Sequence, residues 1–224
     1  TWTVSGSGTD VWGSTDAFNF ASRTWTGDGQ IVAQIDSIQN TSAWARAGVM
    51  FRDSTAAGAM YAAVMITPSN GLTFQWRSST NGGTSMAHVT GLTAPVWVKL
   101  IRLDNTFTGY YSSDGNTWTE IGTTQTIAMA GGALTGLAVG SVNNSALNTS
   151  TFTNVQIGQV GAFGTIASWE LAGTASNATS APVDTAADGF TVSDLTLGSG
   201  FVANHQGFSR SEERRVGKEG RSRW

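Results

Sequence analysis

Asp104-Asn-Thr-Phe-Thr-Gly-Tyr-Tyr-Ser-Ser-Asp-Gly-Asn-Thr-Trp118, with Trp97-Val-Lys-Leu-Ile-Arg-Leu103 directly before it, reads as three strands joined by two tight turns. Asp104-Asn105 supplies the first turn and Asp114-Gly115-Asn116 the second, from residue types that tolerate positive φ. Strands joined this closely pair antiparallel. The chain is therefore expected to present the faces and loops of a sandwich rather than a cleft between helices.

Working outward, strand candidates recur at Trp2–Val4, Ala17–Phe20, Gln30–Ile38, Ala47–Arg52, Met60–Thr67 and Leu72–Arg77. They continue at Met86–Val89, Val96–Leu103, Thr106–Ser112, Thr117–Ile121, Gly136–Ser141 and Thr149–Gly158. Gly27-Asp-Gly29, Pro68-Ser-Asn-Gly71, Asn81-Gly-Gly83 and Gly131-Gly132 punctuate them. Thr41–Ala47, the one helix-like stretch, is too short for more than a loop or a single turn. The expectation is an all-β, antiparallel two-sheet jelly-roll sandwich over residues 1–160.

Charged residues make up 12% of the 224 residues and the formal net charge is −3, which excludes the basic stripes a nucleic-acid binder needs. There is no cysteine, hence no disulfide and no thiolate metal site. No apolar run reaches the length of a membrane-spanning helix. Low charge with abundant Thr, Ser, Asn and Gly suits a secreted, extracellular bacterial protein, and a start at Thr1 suits a fragment or a processed product.

Around Phe163–Ile166 the pattern resets. Residues 161–208 read as the start of a second β-rich module, cut short, with Ala167-Ser-Trp-Glu-Leu-Ala-Gly173 as its first strand. Residues 209–224 differ in character: Arg210–Trp224 holds six of the chain's twelve Lys and Arg. The string resembles the translation of a sequencing-adapter oligonucleotide joined to a truncated reading frame, so it is expected to be non-native; a basic interaction tail is the alternative.

Alternation assigns faces. Leu72, Phe74 and Trp76 share one side of their strand, and Thr73, Gln75 and Arg77 the other. Val49 and Phe51 oppose Met50 and Arg52. Arg52, Thr73, Gln75 and Arg77 are thus expected to line a polar, concave sheet face, one way in which sandwiches hold saccharides. Trp76, Trp97 and Trp118 are expected in the core, whereas Trp44 sits among polar neighbours in Asn40–Arg46 and Trp12 and Trp25 lie near turns. His88 is expected as an exposed strand residue, and Asn143-Asn144 as a polar loop suited to hydroxyl contacts or to a turn.

Six segments together resemble the concanavalin A-like lectin/glucanase superfamily. They are Asp10–Phe20, Gly27–Gln34, Trp44–Asp53, Trp97–Arg102, Gly109–Trp118 and Gly136–Val139. The nearest branch is that of bacterial extracellular domains described as "regulation of enolase protein 1-like". The resemblance spans about residues 1–158. It implies a jelly roll serving as an accessory module beside other domains of a secreted parent chain, and it implies no catalytic residues.

A glycoside hydrolase needs two carboxylates flanking the scissile bond. Before the tail only Glu120 and Glu170 occur, neither in the Glu-x-Asp-x-x-Glu pattern of the superfamily's glucanases. Asp28, Asp104 and Asp114 fall in turns. No Gly-x-Ser-x-Gly elbow is present. No cofactor is implied, although Asp10, Asp16, Asp28 and Asp53 could supply oxygens to a structural calcium. The leading expectation is a non-catalytic module binding polysaccharide or another glycan through Trp44, Arg46, Arg52, Gln75, Arg77, His88, Asn143 and Asn144. A structural or adhesion spacer without a small ligand is the first alternative, and a sugar hydrolase on the same fold the second.

Overall fold

The computed structural model describes residues 1–160, with strand backbone also placed at 164–165, 170–173 and 202–203. The remainder of the second module expected over 161–208, and the tail over 209–224, lie outside the described residues. Among the described residues every element is a strand or a turn.

The first sheet contains β1 (Trp2–Gly6), β5 (Gly29–Ile38), β10 (Val96–Leu103), β11 (Thr106–Ser112), β12 (Thr119–Glu120) and β15 (Asn148–Gly158), in the order β1-β15-β5-β10-β11-β12. Here β13 (Gln125–Thr126) also pairs with β11, and β16 (Gly164–Thr165) with β15. The second sheet contains β4 (Asn19–Thr26), β6 (Arg46–Arg52), β7 (Tyr61–Ile66), β8 (Leu72–Arg77), β9 (Ser85–Val89) and β14 (Gly132–Gly140), in the order β4-β14-β6-β7-β8-β9. Beside β4 it is extended by β17 (Glu170–Gly173) and then β18 (Val202–Ala203). All pairings are antiparallel.

The opening hairpin forms as its residues dictate. Leu103 pairs with Thr106 around Asp104, whose φ of 52° is the left-handed geometry that Asp accommodates. Between the sheets, Ile31, Ala33 and Ile35 of β5 and Val98 and Leu100 of β10 meet Val49, Phe51, Val64, Phe74 and Leu137 from the second sheet. Phe51 and Phe107 cross this interface with ring centroids 6.0 Å apart. Close apposition is required at Gly109: a Cβ there would lie 2.8 Å from both Phe74 and Val64.

Three expectations change. The strand foreseen at Thr117–Ile121 is only β12, because Asp114 accepts hydrogen bonds from the Asn116 and Thr117 amides, both at 2.8 Å, and prolongs the turn. Trp97 and Trp118 are not in the sandwich core. Trp97 has the parity of Lys99, opposite to buried Val96, Val98 and Leu100, and stands half-buried on the outer side of the first sheet. A hairpin was not foreseen: β2 (Asp10–Trp12) and β3 (Thr15–Ala17) pair with each other and belong to neither large sheet. This hairpin shapes the candidate site.

Candidate functional site

The strands β6, β7 and β8 are buried on both sides. Their outward side chains meet a second hydrophobic cluster in which Val11 and Phe18 join Phe20, Met50, Tyr61, Ala63 and Met65. The β2–β3 hairpin therefore caps the outer face of the second sheet.

What pins it there is polar. Arg77 donates from Nη2 to Asp16 Oδ1 and from Nη1 to Asp16 Oδ2, each at 2.6 Å, and Arg52 Nη1 donates to Oδ2 at 2.6 Å. The remaining guanidinium donors find carbonyls: Arg77 reaches Gly13 and Gly82 at 2.9 Å, and Arg52 reaches Ser54 at 3.0 Å and Ala56 at 2.6 Å. Gln75 Nε2 donates to the Val11 carbonyl at 2.8 Å and to the Tyr61 hydroxyl at 3.0 Å. Two desolvated guanidinium groups on one carboxylate hold only when the other donors are also satisfied, as here. Burial draws the Arg52 pKa below its ordinary value despite the attraction of Asp16. At Arg77 the opposing effect of burial is outweighed by the Asp16 hydrogen bonds and charge, and the pKa is raised. Burial, with the Asp16 charge next, pushes the Tyr61 phenol well above its usual range.

The open polar face expected from Arg52, Thr73, Gln75 and Arg77 is thus closed. All four are buried, and Arg52, Gln75 and Arg77 donate to the chain's own hairpin. Alternation placed them on the correct side of the sheet, but it carries no information about what lies above that side. The oxygens foreseen for calcium are separated in the same way. Asp16 holds the two arginines, Asp28 Oδ1 accepts from the Asp104 amide at 2.6 Å, and Asp53 Oδ1 accepts from the Ala130 amide at 3.0 Å. Among the described residues no three His, Asp or Glu side chains gather in one place.

Beyond the edge of the hairpin the face opens into a cleft of about 330 Å³, lined by Asp10, Trp12, Trp44, Arg46, Met86 and Val142. Val11 points inward, so Asp10 and Trp12, on the opposite parity, point outward. Arg46 rises from β6 into the cleft, its Nε donating to Asp10 Oδ1 at 2.7 Å and its Nη1 to Gln75 Oε1 at 2.9 Å. Its guanidinium carbon lies 5.7 Å from the Trp12 ring centroid and 5.6 Å from that of Trp44. Both indoles are exposed, at 37% and 36%.

The Trp44 loop is held from two directions. Ala45 N donates to Ser42 O at 2.9 Å, and Asn70 Nδ2 donates to Ala43 O at 2.9 Å. His88 hydrogen-bonds the Asn70 carbonyl and sets its ring 6.0 Å from Trp44. Asn143 and Asn144 are exposed next to Val142, and the Asn143 Oδ1 accepts from its own turn, from Ser145 N at 3.0 Å. Trp44 and Arg46 therefore meet in the cleft, with His88 behind Trp44, Gln75 beneath Arg46 and the Asn pair beside Val142. Trp12, Asp10 and Met86 complete the cleft; Asp10 is expected from the sequence only as a calcium oxygen, and Trp12 and Met86 are not among the expected site residues, although the alternation Asp10-Val11-Trp12 beside a turn is a signal for the first two.

Chemically the cleft offers two flat apolar surfaces, one guanidinium and one carboxylate. Hydrolysis of a glycosidic bond would need a second carboxylate across the cleft. Asp10 is the single acid among the lining residues, and it is ion-paired.

The chain matches no protein-family model and no curated protein. Its fold is similar to that of a functionally unknown protein from Saccharomyces cerevisiae, at 17% identity over 70% of this chain and 86% of that one, with a TM-score of 0.56. Looser likenesses are to the carbohydrate-binding module CBM66 from Bacillus subtilis (17% identity, 70% of this chain and 95% of that one, TM-score 0.45) and to a xylan β-1,4-xylosidase from Bacillus halodurans (14%, 62% and 29%, 0.47). The chain spans less than a third of the xylosidase. At 17% identity the likeness to the yeast protein is one of fold, and the fold is the all-β, antiparallel two-sheet sandwich described above.

Proposed function

We propose that this sandwich is a non-catalytic carbohydrate-binding module, with the Trp12–Arg46–Trp44 cleft as its sugar site. The observation that carries the reading is Arg46, held between two exposed indoles while bonded to Asp10. The C–H faces of a sugar stack on indole, and its hydroxyls need alternating donors and acceptors, which a guanidinium–carboxylate pair supplies side by side. Preorganisation favours binding, because Arg46 is locked at both ends and neither the Trp44 loop nor the hairpin has to be ordered when ligand arrives. The volume is at the small end for ligand sites and suits a short saccharide segment.

The wider setting belongs to the same proposal: an accessory domain of a secreted bacterial multidomain protein, in the enolase-regulator-like branch of the concanavalin A-like superfamily. Its support is the low charge, the absence of cysteine and the six ordered segments.

Native gel electrophoresis of the chain through a panel of soluble polysaccharides tests the binding. Retardation by at least one glycan, lost on Trp12→Ala or Trp44→Ala in folded protein, is the expected result. Mobility unchanged across the panel would overturn the reading and leave a structural spacer.

A further inference from the structure

The outer face of the opposite sheet carries a second cleft, of about 340 Å³, whose walls include Trp97, Trp118, Gln30, Asn154 and Gln156, with Lys99 among them. Four strands build it in register. Gln156 of β15 pairs with Val32 of β5, Val32 with Lys99 of β10, and Lys99 with Tyr110 of β11. The β15 ladder is interrupted between Thr153 and Gln156, and Asn154 there has a φ of 53°, so a bulge turns its amide toward the cleft. At the other end the β11–β12 turn sits directly on the Trp97 indole, where a Cβ on Gly115 would lie 2.9 Å from Cε2.

Lys99 is the only lysine in residues 1–209. It is not spent on the surface: it is half-buried, with Nζ 4.0 Å from the Trp118 ring centroid and 4.9 Å from that of Tyr110. Arg46, Arg52, Arg77 and Arg102 each donate to a carboxylate or a carbonyl oxygen. Among the described residues Lys99 has no ion pair and no hydrogen bond to oxygen. Burial lowers its pKa, a cost that an incoming anion would relieve.

The geometry points to a second glycan site on the face opposite the first, selective for a sugar bearing a carboxylate. The sugar ring lies against Trp97 and Trp118, its carboxylate accepts from the Lys99 ammonium, and its hydroxyls meet the amides of Asn154 and Gln156. The proposal stands independently of the Trp12–Trp44 cleft, because the two sites lie on different sheets.

Affinity electrophoresis of the full chain in polygalacturonate, in alginate and in fully methyl-esterified polygalacturonate tests it, with Lys99→Met retaining the apolar stem over the rings. The basic residues of 210–224 act equally on both proteins, so the difference between wild type and Lys99→Met is the readout. The expected result is retardation by one of the two acidic polymers, weaker by roughly tenfold for Lys99→Met and for the uncharged ester, and unchanged in Trp44→Ala. Equal retardation of wild type and Lys99→Met, or of acid and ester, overturns the proposal. So does loss of the effect in Trp44→Ala, which would put the acidic sugar in the first cleft, and so does no retardation by either acidic polymer.

Discussion

Arg77 grips Asp16 through two parallel hydrogen bonds of 2.6 Å, and both side chains are fully shielded from solvent. The pair joins a strand of the second sheet to a hairpin that the sheet itself does not include. Through that bond a buried polar group decides where the exposed Trp12 stands.

Removing the shared carboxylate should therefore be severe. Asp16→Asn leaves Arg52 and Arg77 buried with no counter-charge, and the expected loss is about 3–5 kcal/mol. Urea denaturation would show a lower midpoint at unchanged slope, and polysaccharide retardation would fall with it as the hairpin loosens. A loss below about 1 kcal/mol would mean that the arginines find other partners.

Trp12→Ala and Trp44→Ala should do the opposite. Both indoles are exposed, so stability should move by no more than about 0.5 kcal/mol while retardation by the glycan bound in the Trp12–Trp44 cleft disappears. Parallel thermal melts and affinity gels separate the two effects.

Asp114 gives a pH signature. Hydrogen bonds from the Thr117 and Asn116 amides and the Ser112 hydroxyl hold its pKa at about 2, below its unfolded value of roughly 3.9. A depressed folded pKa contributes stability that is fully present above the unfolded pKa and is lost as pH falls through the folded one. Wild type and Asp114→Asn should thus differ in urea midpoint at neutral pH and converge as pH drops from about 4 toward 2. A gap that stays constant over that window would contradict the assignment.

Gly109→Ala should strain the core, since its Cβ would press on Phe74 and Val64 at 2.8 Å. Overpacking of this kind costs about 1–3 kcal/mol. Gly132→Ala, where nothing lies within 4 Å, is the matched control and should shift the midpoint little.

Legibility in the sequence followed the physics of each signal. Strands Leu72–Arg77, Val96–Leu103 and Thr106–Ser112 were read to their ends, because a period of two and turn residues are local properties. The inward set Leu72 and Phe74 was equally plain. Arg52, Gln75 and Arg77 were assigned to the right side but to the wrong environment, because their cover comes from a hairpin some 36 to 64 residues earlier in the chain. Trp97 is expected in the core as one of the apolar residues of an alternating strand, although it shares parity with Lys99, and a lysine on the same side marks the outward face. Trp44 stands out in the sequence as a tryptophan among polar loop residues, and the structure places it with Arg46 in one cleft. For Trp12 the sequence carries only the alternation Asp10-Val11-Trp12 beside a turn; that this hairpin lies over the second sheet is a long-range fact the local pattern does not hold.

The placement of β15 between β1 and β5 has a consequence for synthesis. The first strand and one edge of the ten-residue β5 both wait for a mate encoded more than a hundred residues later. On a ribosome that interval is on the order of ten seconds, during which β5 presents an unpaired edge. A nascent chain halted before Asn148 keeps that edge permanently and offers it to other chains as a template. Full-length synthesis should yield soluble protein, whereas products ending just short of residue 148 should be recovered with chaperones or in aggregates.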